Sequence, residues 1–111
     1  MAPSARDARR HRRQTVRILV DYQLDDDLRS DYATTLGAGG LFIECDETLP
    51  PATILKLRFQ LPHSQETHEL EGRVTWRRDT HEDRSLAPGM GVQFGDGAAR
   101  KKLARELDTL D

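Results

Sequence analysis

From Gln14 onward, apolar and polar positions alternate. Val16, Ile18, Val20 and Tyr22 fall on one face and Thr15, Arg17 and Asp21 on the other, with Leu19 breaking the rule. A period of two marks a half-buried strand, because successive side chains of an extended chain point to opposite faces. This strand is expected to end in the acidic turn Asp25-Asp26-Asp27. The same period recurs at Leu55, Leu57, Phe59 and Leu61 against Lys56, Arg58 and Gln60. It returns at Leu70, Gly72, Val74 and Trp76 against Glu69, Glu71, Arg73 and Thr75. Before these, Asp31 to Leu36 and Leu41 to Asp46 form two β-rich runs around Gly37-Ala38-Gly39-Gly40, while Pro50-Pro51 and Pro62-His63-Ser64 punctuate later turns. After Pro88, Met90, Val92 and Phe94 alternate into a sixth strand. Residues 98–110 change to helical spacing, with Ala99, Leu103, Leu107 and Leu110 along one stripe and Arg100, Lys101, Lys102, Arg105 and Glu106 outside it. Six short strands joined by turns, without a crossover helix, predict a mainly all-β antiparallel barrel or sandwich capped by a terminal helix.

Composition adds a division of the chain. Its 111 residues suit one domain with one small core. Residues 1–13 contain Pro3, Ser4 and two charged clusters, with too little apolar surface to offset their ordering entropy. They are expected to form a flexible Arg-rich arm ahead of a domain spanning 14–111. Residues 1–17 hold six Arg and one Asp, so the overall charge of -2 hides a head of +5 and a remainder of -7. That acidic remainder argues against a broad face for nucleic-acid polymers. The single cysteine, Cys45, excludes an internal disulfide and suits a reducing compartment. The longest apolar stretch, Gly40-Leu41-Phe42-Ile43, is far too short to span a membrane, and no signal-peptide pattern opens the chain. A cytoplasmic protein is expected.

The arginine cluster is the strongest chemical signal, since each guanidinium offers a planar fork for phosphate or a guanine edge and a flat face for stacking. Composition alone leaves an anion-binding arm and a solubilising tail equally open. The Gly37–Gly40 segment lacks the third glycine of a dinucleotide fingerprint and the Lys-Ser/Thr of a P-loop. It reads as a hairpin turn whose positive-φ positions require Gly. His63, His68 and His81 lie in polar segments without metal-ligand spacing and read as solvated loop histidines. Cys45, beside Glu44, reads as a structural or exposed thiol of raised pKa. Glu66, Glu69 and Glu71 show no sign of the cleft that acid–base chemistry requires, so no catalytic residue, metal or enzymatic activity is expected. Trp76 and Phe94 continue apolar faces and are expected in the core.

Taken together, Arg9-Arg10-His11-Arg12-Arg13, the strand Val16 to Tyr22, the loop before Gly40-Leu41-Phe42-Ile43, Val74-Thr75-Trp76 and Pro88 to Phe94 resemble a PilZ domain over most of the chain. The resemblance implies a six-stranded antiparallel β-barrel with a C-terminal α-helix. It also implies binding of the bacterial second messenger cyclic di-GMP through an Arg-x-x-x-Arg motif and an Asp/Asn-x-Ser-x-x-Gly motif. Arg9 and Arg13 match the first motif. Arg13 and Arg17 share the spacing, but Arg17 lies inside the first strand. Aligned on Gly40, the Asp/Asn position of the second motif is Thr35 and the Ser position is Gly37, so only the glycine is kept. The implied ligand set is Arg9, Arg10, Arg13, Thr35, Gly37 and Gly40, with no other cofactor. Losing two hydrogen bonds of about 0.5–1.5 kcal/mol each lowers affinity roughly ten- to a hundredfold. The implied mechanism is an arm that orders around a dianionic ligand and so signals to an effector protein. The alternative is a degenerate adaptor of the same fold that binds no nucleotide and acts only through protein contacts, in motility or type IV pilus machinery.

Overall fold

Leu55, Leu57 and Phe59 are buried and Lys56, Arg58 and Gln60 exposed in the computed structural model, which describes residues 13–79 and 87–109, the first three of them in backbone alone. The alternation builds six strands: β1 (Arg13–Leu24), β2 (Asp27–Gly37), β3 (Gly40–Glu44), β4 (Ile54–Gln60), β5 (Thr67–Arg78) and β6 (Gly89–Phe94). Helix α1 (Ala98–Asp108) follows. The strands close a barrel in the order β1-β2-β3-β6-β5-β4, every pairing antiparallel. The six-stranded barrel with a C-terminal helix is therefore the fold. The closing seam is short, with β1 and β4 paired only from Asp21–Arg58 to Gln23–Lys56. Arg9, Arg10, His81 and Leu110 lie outside the described residues.

Val20, Ile43, Leu55, Val74, Met90 and Leu103 are among the most deeply buried core residues. Leu19 does not break the alternation: it points outward and is exposed, between buried Ile18 and Val20. The acidic hairpin is tighter than expected. Leu24 pairs with Asp27, so only Asp25 and Asp26 form the loop, and Asp25 takes the left-handed φ of 54°. Aspartate tolerates that conformation better than most residues.

Three irregularities of register, between Thr15 and Ile18, Ala33 and Thr35, and Val74 and Trp76, bend the sheet. The last overturns the expectation of a core tryptophan. Val74 pairs with Val92 and Trp76 with Gly91, so Thr75 and Trp76 together oppose one residue of β6. The extra residue turns Trp76 to the outer face, where it is 42% exposed. Phe94 is buried as expected.

His68 is a second correction. It is no solvated loop residue but an inward-facing position of β5, two residues before Leu70 and 2% exposed. A buried imidazole requires a polar partner, and helix α1 supplies it: His68 Nε2 lies 2.5 Å from Glu106 Oε1. Ser64 Oγ donates to the other Glu106 oxygen at 2.7 Å. Glu106, expected outside the helix's apolar stripe, is thus half-buried, whereas Ala99, expected within it, is exposed. Leu103 and Leu107 do seal the core. Lys102 to Glu66, at 2.9 Å, adds a surface ion pair on the same side.

Candidate functional site

The start of β1 runs beside the end of β2, with Arg13 opposite Gly37, Gln14 opposite Leu36 and Thr15 opposite Thr35. Thr35 is in turn opposite Phe42, and Leu36 opposite Leu41. The backbone positions Arg13, Thr35 and Gly37, far apart in sequence, therefore meet at one corner of the barrel, and Gly40 closes it at the first residue of β3. Thr35 is half-buried, and Gly37 and Gly40 are buried. Arg9 and Arg10 are not among the described residues.

The glycines of this corner are not there for the reason expected. Neither Gly39 nor Gly40 has a left-handed φ. Gly40 is required by close approach, because a Cβ there would drive into the backbone carbonyl oxygen of Val92 on β6. Phe94 N–H donates to the Gly39 carbonyl at 2.9 Å and ties the same turn to β6.

From this corner one row of cross-strand neighbours crosses the sheet: Thr15, Thr35, Phe42, Gly91 and Trp76. Phe42 and Trp76 stack across β6 with centroids 5.3 Å apart and planes 24° from parallel. The Arg78 guanidinium lies 4.9 Å from the Phe42 centroid and 5.7 Å from that of Trp76, and its Nε donates to the Ala87 carbonyl at 2.8 Å. Glycine makes this layer possible. A Cβ on Gly91 would collide with the Trp76 indole, and one on Gly89 with the Phe42 ring and the Ile43 carbonyl oxygen. On β1 and β2, the Arg17 guanidinium lies 4.2 Å from the centroid of Tyr32, which is 41% exposed. Aromatic faces beside guanidinium groups suit flat, anionic ligands.

Sequence reasoning missed Trp76, Arg78 and Tyr32 as outer-face groups, and missed that Phe42 is buried beneath Trp76 and Arg78. A signal was present in β6, where Gly89 and Gly91 alternate with buried Met90 and Val92. Bare alternate positions in a strand mark a face that something else covers.

The remaining candidates have structural surroundings. Cys45 is buried just beyond β3, and burial, followed by the nearby Asp31 carboxylate, pushes its thiol up to about 11. Burial also raises the Tyr22 phenol, which donates to Asp31 at 2.6 Å. His63 occupies an exposed turn with φ 63°. Glu69 lies 3.8 Å from Arg58 across β4 and β5. Among the described residues, no three His, Cys, Asp or Glu side chains converge on a position that could hold a metal ion.

Comparison with known proteins bears on the whole chain. The family model described as PilZ domain matches residues 7–108. No curated protein sequence matches. In structure, the chain is similar to the Bacillus subtilis inhibitor of motility (MotI/DgrA), with TM-score 0.66 and 18% identity over 89% of this chain. It spans about half of that protein, 51% of its length. It is also similar to an uncharacterised Legionella protein, with TM-score 0.58 and 19% identity over 88% of this chain and 91% of the other. A third similar structure is the PilZ domain of CeSA from a cellulose-synthesising bacterium, with TM-score 0.60 and 17% identity over 86% of this chain and 97% of that domain.

Proposed function

The chain belongs to the PilZ domain family, and from that premise we propose that it binds cyclic di-GMP at the corner where β1 begins and β2 turns into β3, and passes the event to a protein partner. Domains of this family are ligand-binding and adaptor modules. One observation supports the reading: the register sets Arg13, the second arginine of the first motif, opposite Gly37, and Thr15 opposite Thr35. The row of neighbours from Thr35 leads through buried Phe42 to Trp76, whose part-exposed indole offers a face for stacking a base.

In this reading Arg9, Arg10 and Arg13 engage the phosphates and guanine edges, while Gly37 and Gly40 let the nucleotide approach the backbone. Thr35 offers one hydroxyl where the family motif has a carboxylate or amide. The site thus contributes less hydrogen bonding than the full motif, and stacking on the Trp76 layer offsets part of the deficit. Ordering of the arm, residues 1–13, around the ligand creates a joint surface of arm and barrel, and that surface is the output to the effector. A cytoplasmic setting follows from the messenger. Among the described residues no helix is long and apolar enough to cross a membrane.

Calorimetric titration of the full chain with cyclic di-GMP tests this. Saturable heat is expected, abolished by Arg13→Ala and tightened about tenfold by the double replacement Thr35→Asn, Gly37→Ser. An absence of heat at high-micromolar nucleotide rejects the receptor reading. A second reading, a nucleotide-independent adaptor, is favoured by the groups that Thr35 and Gly37 lack. It gains weight from the similarity to a protein described as an inhibitor of motility. It predicts that a pull-down recovers the same partner with and without cyclic di-GMP.

A further inference from the structure

The outer wall formed by β4 and β5 lies across the barrel from the corner described above. Its outward positions fall into two columns of opposite sign. β4 presents Lys56 and Arg58, and β5 presents Glu69 and Glu71, all four exposed. The register sets Lys56 directly opposite Glu71 and Arg58 opposite Glu69, with Ile54 opposite Arg73 at one end. Ile54 is among the few large apolar side chains exposed to solvent, and Arg73 beside it is exposed as well. A groove of about 500 Å³ is lined by the four charged side chains and by exposed Leu28 of β2.

Opposite charges facing each other across two strands normally satisfy one another within the sheet. Here they do so poorly. Arg58 and Glu69 come no nearer than 3.8 Å with both side chains mostly exposed, and among the described residues Lys56 and Glu71 form no ion pair. Asp21, the neighbour of Arg58 on β1, accepts instead from Ser30 at 2.6 Å. The four charges therefore remain available to a second surface, and their arrangement selects it. Summing to zero, they favour neither an acidic nor a basic partner, but they complement themselves. A two-fold axis along the strands, between β4 and β5, lays β4 of each copy over β5 of the other. Lys56 then meets Glu71, Arg58 meets Glu69 and Ile54 packs on the Arg73 stem, each contact made twice. An axis across the strands would set Lys56 against Arg58 and Glu69 against Glu71, which is repulsive.

We propose that the β4–β5 wall is the surface through which two copies of this chain associate, face to face about a two-fold axis parallel to the strands. Exposed ion pairs are individually weak and screened by salt. Only Ile54 and Leu28 add exposed apolar area here, so the dimer is a transient one, half formed at roughly 100 µM chain. The β1–β2–β3 corner faces away from the axis and stays open in both copies. The inference does not depend on the receptor reading.

Sedimentation equilibrium of the full chain, with amide NMR of isotope-labelled protein diluted from about 1 mM to about 10 µM, tests the assignment without nucleotide present. Dilution is expected to lower the apparent mass from dimer towards monomer and to shift amides of residues 54–60 and 67–73 together. Raising salt from about 50 to 500 mM weakens association about tenfold. Arg58→Glu is monomeric, with a wild-type circular dichroism spectrum. Exchanging the columns by Lys56→Glu, Arg58→Glu, Glu69→Lys and Glu71→Lys together restores association. A wild-type chain that stays monomeric at about 1 mM in low salt overturns the proposal and returns the wall to solvent. It is equally overturned if Arg58→Glu associates like wild type, if the exchanged chain is folded but monomeric, or if the amides that shift lie outside the two strands. None of these outcomes bears on the receptor reading, which stands or falls by its own titration.

Discussion

Gly40 and Cys45 show how far a residue's role depends on what lies next to it. Gly40 is indispensable because the β6 backbone passes where its Cβ would be. The obstructing atom is a carbonyl oxygen of the sheet, which cannot swing aside as a side-chain tip can. Gly40→Ala is therefore expected to destabilise the protein by about 1–3 kcal/mol, read as a lower thermal midpoint, whereas Gly39→Ala, with open space around it, changes little. For Cys45 the relevant neighbours are apolar atoms and the Asp31 carboxylate, both of which disfavour a thiolate. A disulfide reagent at pH 8 should label the native protein far more slowly than the urea-unfolded chain. Rapid stoichiometric labelling of native protein would contradict the burial described. Sequence correctly suggested a raised thiol pKa. It named Glu44 as the cause, whereas burial dominates and Asp31, from the neighbouring strand, follows.

At the level of elements, strand β5 joins two parts of the molecule. Its inward residue His68 holds helix α1 through Glu106, and its outward residue Trp76 builds the aromatic wall. The bonds from His68, and secondarily from Ser64, hold the Glu106 carboxyl below its ordinary value. Folding thus favours the ionised form. The stabilisation is complete above the unfolded carboxylate pKa of about 4.3 and is lost as pH falls through the lower folded value. Glu106→Gln is expected to cost about 1–2 kcal/mol at pH 7. Urea midpoints measured from pH 7 to pH 3 should show the gap between variant and wild type narrowing below about pH 4. A constant gap would mean that the charge on Glu106 contributes nothing. The helix itself was legible from the spacing of Leu103 and Leu107. The His68–Glu106 contact was not, because 38 residues separate the partners and nothing local distinguishes a buried histidine from a solvated one.

For the whole molecule, the division of charge frames the expected ligand behaviour. A head of +5 joined to a remainder of -7 attracts a dianionic nucleotide to the head and repels it from most of the barrel. Affinity for cyclic di-GMP should fall as salt is raised from about 50 to 500 mM, because screening shortens the reach of the arginines. Affinity unaffected by salt would assign binding to stacking alone. That the start of β1 and the end of β2 lie side by side was not readable in the chain. It arises from the pairing of β1 with β2, which sets residues 13 and 37 side by side.

Alternation of side chains, the helical stripe, the placement of glycines and the distribution of charge are local properties. They determined the strands, the antiparallel all-β class and the basic head, whereas the choice of barrel over sandwich came from the resemblance to the PilZ family. Local periodicity assigns a side chain to a face only while the strand runs uninterrupted, since one inserted residue reverses the parity of everything beyond it. The bulge between Val74 and Trp76 is such a reversal, and it is set by how β5 pairs with β6. Tertiary pairing alone therefore decided that Trp76 faces outward over Gly91, that His68 meets Glu106 beneath the helix, and that Gly40 must lack a side chain.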